Sequence, residues 1–121
     1  MTYSVNFANY TIGKDAYQQV TEVCSRFGTK ALLIGGKLAL KAGKEKLLQA
    51  ISAGDPKITI VDTVLFGSDC TYERMEELAV YAKSCGAEMI FGMGGGKALD
   101  TAKGTAEKAG LPVFTFPTIA A

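Results

Sequence analysis

Short apolar runs punctuate the chain at residues 4–7, 31–34, 58–61, 89–91 and 113–116. Most are continuous rather than alternating, as strands covered on both faces should be. Between them the apolar residues recur at helical spacing. Ala16, Val20, Val23, Cys24 and Phe27 share one face of a helix over 15–27, with Gly28 as its C-terminal cap. A second helix follows Gly35-Gly36 and ends near Ala53-Gly54. Leu47, Leu48 and Ile51 form its core face, and Gly43 is a place for a kink or a split. A third starts at Thr71, a good N-cap, with Glu73 in the first turn. It carries Met75, Leu78, Ala79 and Ala82 as its stripe and ends at Gly86. A fourth covers 97–109, and Gly110 and Pro112 stop it. Strands alternating with helices predict an α/β fold: a parallel sheet, right-handed crossovers and helices on both faces.

Such sheets bind ligands at the carboxyl ends of their strands. Two glycine turns fall there, Gly35-Gly36 and Gly94-Gly95-Gly96. Three successive glycines leave the main chain bare where strand becomes helix, so a ligand can approach the amides closely. The helix start adds unpaired N–H donors and the positive end of the dipole, and together these make a seat for phosphate. Lys97 follows at once, a cation where the dipole disfavours one, within reach of a phosphate or a ribose edge. Asp100 and Lys103 share a helix face and read as a surface ion pair. In dinucleotide sites an acidic residue at a strand end commonly accepts hydrogen bonds from the adenosine ribose. Gly36 occupies that kind of place here, so a 2′-phosphate meets no carboxylate, and Lys37 attracts one. Asp62 reads as the solvent-facing end of the third strand.

Composition narrows the picture. A chain of 121 residues suits one domain, 1–121. Charged residues at 21% and hydrophobic ones at 48% are globular values. A net charge of +1 without a basic run gives no reason to expect nucleic acid or an anionic membrane as partner. No signal peptide or transmembrane-length run is legible, so the expected location is cytoplasmic. Cys24, Cys70 and Cys85 lack metal or redox spacing and read as reduced structural residues. The chain contains no histidine, so the commonest general base and metal ligand are missing.

Gly94-Gly95-Gly96-Lys97-Ala98-Leu99-Asp100-Thr101-Ala102-Lys103, followed by Phe116-Pro117-Thr118-Ile119-Ala120, resembles the iron-containing alcohol dehydrogenase superfamily. The lysine after the triple glycine is most similar to its glycerol dehydrogenase branch. Tyr10-Thr11-Ile12-Gly13, the strand into Gly35-Gly36-Lys37, and Phe66-Gly67 are similar to the family in the same order. The resemblance implies a Rossmann-like, dinucleotide-binding domain for NAD or NADP. By position it places Gly94, Gly95, Gly96 and Lys97 on the pyrophosphate and neighbouring ribose. It places Thr118 on the cofactor from the opposite loop, with Gly36 and Lys37 toward the adenosine. It also implies hydride transfer from glycerol or another small alcohol to the nicotinamide, with zinc or iron polarising the alcohol oxygen.

The chain departs from that pattern. Gly36 stands where glycerol dehydrogenases usually have Asp, and Ala121 where a Ser is expected. The family's metal ligands, an Asp and histidines, belong to a helical C-terminal domain that this sequence lacks. The expectation is therefore a nucleotide-binding half, a truncated product or one that works with a separate catalytic half. It has no catalytic residue or metal ligand of its own and is inactive alone. The alternative is a non-catalytic module for interaction or self-association, a homo-oligomer. Dehydroquinate synthases share the architecture, but their glycine motif differs.

Overall fold

The computed structural model describes residues 4–6, 24–52, 57–67 and 69–117. They form strands β1 (Ser4–Asn6), β2 (Lys30–Gly35), β3 (Thr59–Leu65), β4 (Met89–Gly94) and β5 (Val113–Pro117). The helices among them are α1 (Lys37–Ser52), α2 (Tyr72–Ser84) and α3 (Gly96–Ala109). The sheet runs β1-β5-β4-β2-β3, and every pairing in it is parallel. From β2 the chain steps outward to β3, returns past β2 to β4, and continues to β5. Right-handed crossovers then put α1 on one face of the sheet and α2 and α3 on the other.

The strand residues divide between two cores by the two-residue alternation of a pleated sheet. Ala31, Leu33, Met89, Phe91, Met93, Phe114 and Phe116 pack with Ala39, Leu47 and Ile51 of α1. Leu32, Ile34, Ile90 and Val113 pack with Leu78 and Ala82 of α2 and Ala102 and Ala106 of α3. All of β4 is buried, which is why its apolar run is unbroken. The first core is stapled by aromatic edges, with Phe91 centred 5.9 Å from Phe114 and 5.3 Å from Phe116.

Small residues bring the second layer close. Gly92 of β4 faces Ala102 of α3, and Met75 of α2 lies over Gly104 of α3. The buried hydroxyls of Thr101 and Thr105 donate to the carbonyls of Lys97 and Thr101, at 2.8 and 2.7 Å, so neither is left unpaired.

Several expectations change in detail. Most of the expected helix over 15–27 lies outside the described residues. Cys24 is buried, and burial pushes its thiol pKa up. The helix α1 runs unbroken through Gly43, which is itself buried. Its core face is Ala39, Gly43, Leu47 and Ile51, and Leu48 is exposed, because a strict four-residue step leaves the neighbour of Leu47 off the stripe. The third strand is longer than residues 58–61, and Asp62 sits inside β3 rather than at its end. An edge strand tolerates such a residue when its charge is satisfied. Tyr81 Oη donates to Asp62 Oδ2 and the Thr63 amide to Oδ1, which holds the Asp62 carboxyl below the usual carboxylate range. Among the described residues, no helix is long and apolar enough to cross a membrane.

Candidate functional site

The loops after β2 and β4 leave adjacent strands for opposite faces, since α1 and α3 lie on opposite sides of the sheet. That divergence opens a crevice at the carboxyl edge, the topological switch point where open α/β sheets take their ligands. A cavity of about 530 Å³ occupies it, walled by both glycine turns, the first residues of α1 and α3, and Phe66 beyond β3. The two turns touch. The Gly36 amide donates to the Met93 carbonyl at 3.1 Å, and the Phe66 amide donates to the Gly35 carbonyl at 3.0 Å.

The three glycines of the second turn differ in kind. Gly94 has φ +146°, and a Cβ there would stand 2.8 Å from the Cβ of Ala98. Both backbone and space demand glycine. At Gly95 and Gly96 a Cβ would meet nothing within 4 Å, so these two present bare main chain to the crevice. Gly95 is the N-cap of α3, at φ −85° and ψ −169°, and no side chain caps the helix. Neither α1 nor α3 has an acidic residue in its first turn. Two positive helix ends therefore converge on one crevice with no carboxylate of their own to neutralise them.

Gly94, Gly95, Gly96, Lys97, Gly36 and Lys37 all line this crevice. Lys97 Nζ stands 3.6 Å from Asp69 Oδ1, with both side chains 68% exposed. Such a pair contributes little and leaves the ammonium free to turn to an anion. Asp100 and Lys103 are exposed on α3, and among the described residues the ion pairs are Arg74–Glu77 and Lys97–Asp69, so the expected surface pair does not form. Thr118 lies outside the described residues; Pro117 just before it pairs in register with Gly94. Phe66, Asp69 and Arg74 bear on the crevice without having been singled out for it. The signal was there in part, since Arg74, like Lys97, is a cation in the first turn of a helix.

The bare amides, the uncapped helix and the 530 Å³ of space fit a diphosphate. A zinc or iron ion has no matching donor set here: among the described residues no three His, Cys, Asp or Glu side chains converge.

A family model described as iron-containing alcohol dehydrogenase matches residues 8–121. The chain belongs to this family. A glycerol dehydrogenase of Pseudomonas putida is 32% identical over 111 residues, which are 92% of this chain and 30% of that enzyme. A glycerol dehydrogenase of Thermotoga maritima is 32% identical over 120 residues, 99% of this chain and 32% of that enzyme. Among solved structures, a probable glycerol dehydrogenase from Sinorhizobium meliloti superposes with TM-score 0.69 at 24% identity, covering 97% of this chain and 29% of that one. This iron-containing alcohol dehydrogenase family chain therefore spans about 30% of the length of the relatives it matches, and corresponds to their N-terminal part.

Proposed function

We propose that this segment of an iron-containing alcohol dehydrogenase holds a nicotinamide dinucleotide for an enzyme that oxidises glycerol or a similar small alcohol. The observation that carries the reading is the pair of bare amides, Gly95 and Gly96, at the uncapped start of the 14-residue helix α3. Gly95 and Gly96 take the diphosphate oxygens, and Lys97 swings from Asp69 to neutralise them. Gly94 keeps the floor flat enough for that approach. Gly36 and Lys37 face the adenosine ribose, and Thr118 is assigned to the cofactor on the family resemblance alone. When bound, the nicotinamide supplies the hydride-accepting carbon. Proton transfer and metal chemistry are assigned to no residue of this segment.

With Gly36 in place of a carboxylate and Lys37 beside it, NADPH is expected to bind at least as tightly as NADH. Fluorescence titration of the reduced cofactors checks this. Weak but saturable binding is expected, with a dissociation constant of about 0.1–1 mM. Failure of both cofactors to bind at millimolar concentration overturns the reading.

The ribose side has its own test. A Cβ on Gly36 would lie 3.6 Å from Phe66 Cε1, an ordinary contact, so Gly36→Asp fits without repacking. A carboxylate there repels a 2′-phosphate and accepts from a free 2′-hydroxyl. The variant should lose NADPH affinity about tenfold or more while NADH binding holds or improves. Equal effects on the two cofactors would remove Gly36 from the adenosine subsite.

A further inference from the structure

We infer that Arg74 is a positioning residue for the crevice, acting on the cofactor through Phe66. The inference rests on the dinucleotide reading above.

Arg74 sits in the first turn of α2, where a cation opposes the helix dipole. Its backbone amide is already used by the N-cap, donating to Thr71 Oγ1 at 3.1 Å. The side chain turns back to the carboxyl end of β3. Nη2 donates to the Leu65 carbonyl at 2.7 Å, and Nε donates to the Phe66 carbonyl at 3.2 Å. Nη1 meets Glu77 Oε2 at 3.2 Å, which fixes the guanidinium from the far side. One planar fork thus spans two consecutive carbonyls that a strand end would otherwise leave to water. Gly67, at φ +111°, makes the turn that follows these carbonyls, and a Cβ on it would stand 4.0 Å from Arg74 Nε.

What this fork holds is a wall of the cofactor crevice. Phe66 lines the cavity and is the neighbour that a side chain on Gly36 would first meet. Its amide is tied to the Gly35 carbonyl on one side, and its carbonyl is tied to Arg74 on the other. The same turn carries Asp69, the resting partner of Lys97. Arg74 touches neither the crevice nor any ligand in it. Its effect is to keep Phe66 in the wall, so that the ligand meets a formed crevice rather than a loose loop.

The test compares wild type, Arg74→Met, Arg74→Lys, Phe66→Ala and the Arg74→Met/Phe66→Ala double variant, with NADPH and NADH as probes. Arg74→Met keeps the apolar stem and removes the fork. It should weaken both cofactors about tenfold, as the formed loop drops to a minor population. Arg74→Lys should restore only part of the affinity, because one ammonium cannot span both carbonyls in the fork's geometry. In the Phe66→Ala background the Arg74 change should have little further effect. A merely structural role predicts additive losses or none, and either result overturns the inference. Amide hydrogen exchange reads the latch without cofactor. Arg74→Met should speed exchange at Phe66 while β2 and β4 stay protected. Unchanged exchange at Phe66 overturns the latch even if cofactor binds. Faster exchange in Arg74→Met, with a wild type that binds no cofactor, supports the latch and overturns the dinucleotide reading alone.

Discussion

The Gly95→Asp protein is expected to fold at least as stably as wild type and to lose dinucleotide affinity about a hundredfold. The two effects have one cause. Gly95 already has the extended backbone of an N-cap, and a Cβ there meets nothing within 4 Å. An aspartate at that place accepts a hydrogen bond from the first-turn amides and complements the dipole, a gain of roughly a few tenths of a kcal/mol over glycine. The same carboxylate would take the donors that the proposed function gives to the diphosphate and add a like charge beside it. Urea unfolding and a reduced-cofactor titration on one preparation check both halves. Retained affinity with the helix capped would mean that the diphosphate does not sit at the mouth of α3. Lost stability would mean that the turn was already satisfied in another way.

Gly92→Ala should cost about 3 kcal/mol, the upper end of what overpacking usually does. Gly92 lies in β4, paired on both sides, and the new methyl would come within 2.5 Å of the Cβ of Ala102. Ala102 is wholly buried and has no rotamer with which to yield. Either α3 lifts from the sheet or β4 bends, and lifting α3 carries Gly95 and Gly96 away from Gly36. Cofactor affinity should therefore fall with stability. The check is the urea midpoint, with the slope unchanged if the transition stays two-state. Adding Ala102→Gly should recover part of the loss, less the roughly 1 kcal/mol that a glycine costs inside a helix. A single variant within about 0.5 kcal/mol of wild type would show that the sheet–helix distance is not set by these two residues.

Much of the architecture was readable because the signals were local. Continuous apolar runs marked strands covered on both faces, and Thr71, Gly86 and Gly110 marked helix ends that the structure keeps. The stripe Met75, Leu78, Ala79 and Ala82 is buried as its spacing implied. The glycine turns pointed to the crevice because flat main chain at a strand end has few other uses. What escaped was set by tertiary context. Nothing local separates Gly94, which needs its positive φ, from Gly95 and Gly96, which need only be bare. The length of β3 was hidden by Asp62, whose charge is settled by Tyr81 from a different element. The reach of Arg74 to two carbonyls eight and nine residues earlier has no periodicity to betray it.

On the proposed reading the mouth of α3 would grip with peptide nitrogens, and peptide nitrogens have no proton to surrender between pH 5 and 9. An imidazole-lined seat would loosen as the buffer turned alkaline. This one, built by a chain without a single histidine, should hold its diphosphate evenly across that span. Among ordinary buffer variables, dissolved salt would then be the chief influence on its grip, by shielding Lys97 and Lys37.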